Sequence, residues 1–495
     1  MTFDEPDDFR RFREVLAAVE YHDDGICDLT GARVLGCAPD DVAVDVLQRT
    51  GAGGRLGCLV RLLYIGLPVA SDDLRRAIAP MTLEQWEGAG LIRRRGDDVI
   101  STVMVFPHEA MVIVTDRQHH PESLPWDHVM GVGAGTTTLS RLTIRQPVGA
   151  ALDLGTGCGF LALLAAGHAA RVVGIDVNPR ALAYARFNAA VNGLSNLTWL
   201  EQDMLEPADE EQGRFDLIVS HPPLVIAPAA CFPYRDSPVA RDGLVRRLSA
   251  IVAGGLAEGG FGQFLASWIH PSDERWQDHV ERCLERSGCD TWVIRLSTQD
   301  AAAYAKLWVQ QTGPASPEAA GAAYRGWVDY LHEEGIGAIS TGLVTMRKRS
   351  GCSTWYRADE APECLAGPAG QYVAQAFDAE DFLQDATDAD FLRTALSVPA
   401  HLRIEQQLEP SADGWRVGQC VSRLTTGLQY EAHHGEALVW LMTHCDGHTP
   451  VGALIEQLLA REGDIAPCKR DRVLTVARML VAHGMLVAHP SRRPP

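Results

Sequence analysis

At 495 residues and 46% hydrophobic composition, the chain exceeds the ~250–300 residues over which a single hydrophobic core keeps growing, so two or three domains are expected. Its 64 Asp+Glu against 44 Lys+Arg give a formal charge of −20, a field that repels a polyphosphate backbone and favours neutral or cationic partners over nucleic acid. The acidic opening MTFDEPDDFRRF lacks the basic-then-apolar order of a secretory leader, and no apolar run reaches the ~18 residues of a membrane span, so a cytoplasmic protein with no membrane partner is expected.

Helical periodicity comes first, over 9–19, 56–64, 72–78 and 83–89. The run from Leu91 to Ile100 then sets a turn between two strand-like stretches, and Met111-Val112-Ile113-Val114 continues them. This order resembles a winged helix, expected as an N-terminal domain over 1–120. Arg93-Arg94-Arg95 near the wing invites a nucleic-acid reading. Asp97 and Asp98 follow at once, and a domain that covers the substrate pocket or forms a homodimer interface is the better expectation.

From 150 to 347 strands and helices alternate, the pattern of a parallel sheet covered on both faces, which makes an α/β domain over 121–350. Strands are expected at 151–154, 172–175, 197–201, 217–220 and 262–266. A late strand at 336–346 follows a helix holding Tyr324, Trp327 and Tyr330. The C-terminal domain, 351–495, opens on irregular Pro- and acid-rich sequence. It then offers helices at 436–443, 451–460 and 472–483 and ends in Gly484-Met485-Leu486-Val487, a second winged-helix-like order. That helix order resembles small peptide-recognition modules, which keeps a peptide acceptor in view.

The twelve cysteines are scattered, Cys283 and Cys289 being the closest pair, so neither a C-x-x-C clip nor a disulfide framework is visible. Adjacent histidines, His119-His120 and His433-His434, seldom converge on one ion, and no metal is expected.

The chemistry-bearing segment is Asp153-Leu154-Gly155-Thr156-Gly157-Cys158-Gly159-Phe160, between an apolar strand and an apolar helix over 161–166. Such glycines permit positive φ and let a ligand touch backbone at a helix N-terminus. A dinucleotide turn looks alike, but it wants G-x-G-x-x-G, and here the third glycine comes one residue early. The next strand ends in Asp176, then Val177-Asn178-Pro179 opens a helix. A carboxylate there is placed to accept the hydroxyls of a ribose, in a nucleoside or in NAD alike. An Asp203-Met204 pair follows the third strand, and a Pro-Pro element follows the fourth.

Together these residues resemble class I Rossmann-fold methyltransferases, over about 126–347. The resemblance implies a Rossmann-like core and S-adenosyl-L-methionine as cofactor. It further implies that Asp153 and the backbone at Gly155 and Gly157 hold the methionine part. Asp176, with Asn178 beside it, holds the ribose, Asp203 the adenine amino group, and Met204 lies beside the ring.

The fourth strand runs directly into His221-Pro222-Pro223-Leu224. This resembles the Asn/Asp-Pro-Pro-aromatic element of the branch that methylates amide, base or exocyclic amino nitrogens, release-factor glutamine and rRNA guanine methyltransferases among them. In that branch the Asn oxygen and a Pro-region carbonyl accept the two protons of a planar NH2, and the aromatic ring stacks on it. Here His221 replaces Asn and Leu224 replaces the aromatic residue, while Pro222 can still offer a carbonyl. A neutral imidazole accepts a hydrogen bond and acts as a base near neutral pH. His221 is therefore expected at the cofactor's reacting end, taking a proton from an amine, hydroxyl or guanidinium-like nucleophile.

Downstream, Cys231-Phe232-Pro233-Tyr234-Arg235-Asp236-Ser237 forms a loop where substrates of such folds enter. Leu224, Tyr234, Arg235 and Asp236 are the expected acceptor contacts. Upstream, the glycine-rich stretch 131–138 is expected as a lid or a linker. The leading expectation is N-methylation of a small amino or guanidino metabolite in specialised metabolism. The alternatives are a methyltransferase of rRNA, a peptide or a translation factor, and a cofactor-binding protein without catalysis.

Overall fold

The computed structural model describes residues 1–32, 44–117, 125–206, 213–229, 231–271, 274–286, 288–312, 316–351, 353–363, 365–411, 414–462 and 467–489. His119 and His120 lie outside them. The chain divides into two compact units, one of residues 1–140 with 147–359 and one of 141–146 with 360–495.

The first unit is built around an eight-stranded sheet. Strands β1 (Val148–Leu154), β2 (Ala169–Asp176), β3 (Leu197–Glu201), β4 (Phe215–Ser220), β5 (Leu256–His270), β6 (Cys289–Asp300), β7 (Ala338–Lys348) and β8 (Tyr356–Glu360) lie in the order β8-β6-β7-β5-β4-β1-β2-β3. The five strands from β3 to β5 pair parallel. Strand β7 then inserts antiparallel between β5 and β6. The sheet is therefore mixed rather than parallel throughout. Apolar runs mark where strands are but carry no direction, and β7 returns antiparallel to β6 through the two helices Ala301–Thr312 and Pro317–Glu333.

Apolar residues of the inner strands, among them Phe215, Ile218, Phe264, Trp268 and Val344, pack into one core with Leu248 and Val252 of the helix Gly243–Gly255. A second cluster joins Val225, Ile226 and Ile339 to Tyr304 and Leu331 of the helices Ala301–Thr312 and Pro317–Glu333. The expected helix with Tyr324, Trp327 and Tyr330 is the second of these. Sequence periodicity missed β6 and β8. Trp292 of β6 holds β8 in place, its indole N–H donating to Asp359 at 2.8 Å.

The N-terminal helices appear at Pro6–Ala18, Ser71–Ile78 and Leu83–Gly88, with Gly54–Leu59 running into a π-helical turn at Val60–Ile65. A hairpin of Val103–His108 and Met111–Asp116 follows. This hairpin is bound to the core by helix Pro179–Asn192. Asn188 accepts from the Val114 N–H at 2.8 Å and donates to its carbonyl at 2.9 Å, and Asn192 does the same to Val112 at 2.9 and 2.8 Å. The spacing explains the fit, since four helical residues rise about 6 Å and two strand residues about 6.6 Å. Two amides on one helix face thus stand in for a neighbouring strand. Phe3, Phe9 and Phe12 close the same contact around Phe187, ring centres 5.3–6.4 Å apart.

The second unit does not open irregularly as its Pro- and acid-rich sequence suggested. Helix Gly370–Asp385 and a hairpin of Leu402–Ser411 with Gly414–Leu424 occupy that stretch. The helix buries Tyr372, Val373 and Phe377, and these apolar positions outweigh the acidic ones around them. Helices Glu436–His444, Val451–Glu462 and Pro467–Ala482 follow where expected. The last strand, Val487–His489, pairs with Ala395–Ser397. His433 and His434 bond separately to Gln419 and Ser422. No helix among the described residues is long and apolar enough to cross a membrane.

Replacing Asn188 by Leu strands the buried Val114 N–H and carbonyl. The variant is expected to lose about 2–3 kcal/mol of stability in denaturant unfolding. Amide exchange at Val112 and Val114 should accelerate while the β1 and β4 amides stay protected.

Candidate active site

Strand register assembles the site. Leu154 pairs with Ile175 on one side and with Ser220 on the other, and Asp176 pairs with Glu201. The next residues outward are Gly155, Asp176 and His221, with Asp203 two beyond Glu201. The carboxyl ends of four adjacent parallel strands therefore present the glycine loop, the acidic strand end, the Asp203-Met204 pair and the His-Pro-Pro-Leu element side by side. The Ser220 hydroxyl donates to the Leu154 carbonyl at 2.8 Å, fixing the two central ends together.

Gly155, Gly157 and Gly159 all have positive φ, at 71°, 55° and 87°. A Cβ on Gly157 would meet nothing within 4 Å, so the backbone there faces open space, as a loop that touches a ligand requires. The Gly157 N–H donates to the Asp176 carboxylate at 2.8 Å and the Asn178 N–H to its other oxygen at 2.9 Å. Burial still raises the Asp176 pKa above the usual carboxylate value. Asn178 caps the helix that starts at Pro179: its oxygen accepts from the Arg180 N–H and its NH2 donates to the Asp127 carbonyl. Its side chain is thus committed within the protein. Asp203 accepts from the Leu205 N–H at 2.8 Å. The Met204 sulfur would lie 3.2 Å from a Cβ on Gly155, directly against the loop.

Asp153 lies beneath the loop, buried. One oxygen accepts from the Thr156 hydroxyl at 2.6 Å and the Ala162 N–H at 3.0 Å. The other is buried with no hydrogen-bond partner. Burial pushes the Asp153 pKa up to about 7, against the pull of those two donors. An orphaned carboxylate oxygen under a glycine loop fits a cationic amino group, which is what the methionine end of the expected cofactor carries.

Across the cleft, the His221 Nδ1 is 2.7 Å from the Thr136 hydroxyl. Thr136 lies on helix Ala134–Leu142, where the glycine-rich stretch is helical rather than an open linker. A Cβ on Gly135 would come within 3.1 Å of the imidazole, so any larger residue there would press on the His221 ring. Desolvation lowers the His221 pKa to about 4. The imidazole is therefore neutral at pH 7, yet a weaker base than the sequence alone suggested, because the surroundings withhold the water that would solvate its charged form.

The loop after β4 folds back on itself. Val225 N–H donates to the Arg235 carbonyl at 3.0 Å and Ser237 N–H to the Val225 carbonyl at 2.8 Å. Asp236 is buried and accepts from the Cys231 and Phe232 N–H groups and from Arg235 Nε. Arg235 also lies over the rings of Phe232 and Trp308, at 4.5 and 5.3 Å. Both charged residues hold the loop together, which leaves Tyr234 as its half-buried aromatic. Leu224 lines a void of about 10 Å³ with Leu244, Leu248 and Leu265. That is no more room than a single water needs, so this face of Leu224 belongs to packing.

Sequence reasoning passed over Asp116, His128 and Thr136. Buried Asp116 binds the Arg180 guanidinium, the Tyr184 hydroxyl at 2.6 Å and the Val129 N–H at 2.9 Å. His128 Nδ1 is 3.5 Å from the same carboxylate, and its ring meets Tyr234 edge-on at 5.2 Å. The segment around 127–129 thereby links the helix Pro179–Asn192 to the loop after β4. The glycine-rich stretch was the one available signal for Thr136; nothing local marked the other two.

The architecture is that of a Rossmann-like class I methyltransferase core. A family profile described as a methyltransferase domain matches residues 148–241, and two domains of unknown function match 18–102 and 374–488. The chain is 43% identical over 76 residues to the release factor glutamine methyltransferase of Flavobacterium psychrophilum, covering 15% of this chain and 26% of that protein. It is 36% identical over 102 residues to the ribosomal protein L11 methyltransferase of Pelotomaculum thermopropionicum, 19% and 32% of the two chains. It is 38% identical over 104 residues to a tRNA1(Val) (adenine(37)-N6)-methyltransferase of Porphyromonas gingivalis, 19% and 41%. The chain thus spans between about a quarter and two-fifths of the length of these relatives. Residues 148–241 are a methyltransferase domain, and its cofactor is S-adenosyl-L-methionine.

Two pH effects follow. With its folded-state pKa raised from 3.8 to about 7, Asp153 keeps a proton that the unfolded chain releases first. Its contribution to stability is therefore lost as pH rises from about 4 to about 7. Urea unfolding of the cofactor-free protein across that window should show a decline that Asp153→Asn removes. His221 runs the other way, stabilising above its ordinary 6.5 and losing that contribution as pH falls toward about 4. Imidazole NMR should show its ring titrating near 4, and a midpoint near 6.5 would contradict the desolvated site.

Proposed function

We propose that this chain transfers a methyl group from S-adenosyl-L-methionine to a nitrogen atom of a protein or peptide acceptor. The observation that carries this reading is His221, one residue past the Leu154–Ser220 pairing, tied to Thr136 and opening the Pro222-Pro223 turn. Relatives named for release-factor glutamine and ribosomal protein L11 support a protein acceptor. The charge of −20 weighs against the RNA acceptor of the third relative.

When bound, the cofactor supplies an electrophilic methyl on a sulfonium. Asp176 would accept the ribose hydroxyls, the free oxygen of Asp153 would meet the cationic amino end, and Asp203 and Met204 would hold the adenine. With Nδ1–H donating to Thr136, the His221 Nε2 is an acceptor. It and the Pro222 carbonyl take N–H bonds from the acceptor nitrogen and aim its lone pair at the methyl carbon. With the cofactor bound, these two groups would hold the acceptor nitrogen for methyl transfer, and its proton would pass to water. A neutral, weakly basic imidazole suits this orienting role better than full proton abstraction. Tyr234 is the ring available to lie against the acceptor in place of the aromatic residue that Leu224 replaces. A small amino or guanidino metabolite is the second reading, favoured by the loss of that stacking residue.

The test uses cofactor carrying a labelled methyl and a cell extract separated into protein, RNA and dialysable fractions. Label is expected in protein, on a nitrogen. Label confined to RNA or to the dialysable fraction overturns the acceptor, and label in none overturns the activity. His221→Ala should cost about 100-fold in turnover with cofactor affinity unchanged. Asp176→Ala should instead weaken cofactor binding by about 10–100-fold in calorimetry.

A further inference from the structure

Outside the methyl-transfer cleft, three chemically dissimilar side chains converge. Asp242 precedes the helix Gly243–Gly255, and His279 and Cys283 stand four residues apart on the helix Trp276–Cys283. That spacing puts both on one helix face. The His279 Nε2 is 2.9 Å from Asp242 Oδ2 and 3.6 Å from Cys283 Sγ, and all three donor atoms lie within 4.8 Å of one another. For a tetrahedral zinc ion at ordinary bond lengths, N···O and N···S separations come to about 3.3 and about 3.6 Å. The observed distances match the second and need a few tenths of an ångström on the first.

The surroundings are those of a ligand set. Asp242 Oδ1 accepts from the Ile269 N–H at 2.8 Å, which leaves Oδ2 aimed at the cluster. The other nitrogen of His279 is buried, has no hydrogen bond, and lies 3.5 Å from Glu274 Oε2. Glu274 is in turn held by Arg282. A carboxylate behind a metal-binding imidazole is the arrangement that fixes its tautomer and raises its donor strength. Cys283 is 4% exposed, while the His279 and Asp242 side chains are 12% and 14% exposed, enough for an ion to enter from their side.

We propose that Asp242, His279 and Cys283 form a zinc site, with the fourth position left to water. Thiolate with imidazole and carboxylate selects zinc over magnesium or calcium, which take oxygen donors. Binding displaces the His279 ring proton and the Cys283 thiol proton to solvent. The ion ties Asp242, which accepts from Ile269 near the end of β5, to the helix Trp276–Cys283, independently of methyl transfer.

The experiment is metal analysis of the purified full chain after dialysis against a weak chelator, then titration of the metal-stripped protein with zinc and with cobalt(II). One equivalent of zinc is expected, bound more tightly than about 1 µM in competition with a chromophoric chelator. The cobalt form is expected to show a near-ultraviolet thiolate charge-transfer band and strong tetrahedral visible bands. Cys283→Ser should abolish the charge-transfer band, and Cys231→Ser, at an exposed cysteine, should leave it intact. Substoichiometric or weaker zinc binding by the unaltered protein overturns the proposal. So does a cobalt spectrum without a thiolate band, or a band that survives Cys283→Ser. None of these readouts depends on methyl transfer, so failure here leaves the proposed activity standing.

Discussion

The parallel register around Leu154 is the constraint on which the site depends. Because Leu154 is paired at once with Ile175 and Ser220, Gly155, Asp176 and His221 emerge together at one edge of the sheet. A shift of one residue in any of these strands would turn its side chains to the opposite face and separate the carboxylate from the glycine loop. The apolar residues packed on both faces of β1, β2 and β4 hold that register, so core burial fixes the positions of the polar groups at the strand ends.

Burial also decides how those polar groups behave. Asp153 keeps one oxygen without a partner inside the fold and is pushed toward neutral pH. His221, just past the end of neighbouring β4, is pushed the other way and stays uncharged. The two shifts have one cause, loss of water from the carboxyl ends of adjacent strands. They suit a pocket whose visitor brings positive charge, both at its amino end and at the sulfonium.

The N-terminal module is coupled to this edge through ordinary hydrogen bonds placed at unusual points. Asn188 and Asn192 bind a strand of the Met111–Asp116 hairpin as another strand would. At the end of that strand, Asp116 gathers Arg180, Tyr184 and the backbone at Val129. His128 then meets Tyr234 of the loop after β4. The helix that begins at Pro179 thus supports both the glycine-loop edge and the loop after β4.

The sequence by itself determined the glycine loop after β1, the acidic strand end, the His-Pro-Pro-Leu segment after β4 and most of the strands. These are legible because each depends on local chain geometry: glycine at positive φ, a carboxylate after an apolar run, proline after a strand. Strand direction, the missed β6 and β8, and the helix at Gly370–Asp385 were not legible, since periodicity records burial and not the neighbour that causes it. The same holds for the site. Thr136 beside His221, the internal use of Asp236 and Asn178, the weakened basicity of His221, and the meeting of Asp242 with His279 and Cys283 were decided by tertiary structure alone. Each joins residues from different elements, and only the packed chain sets the distances and the dielectric between them.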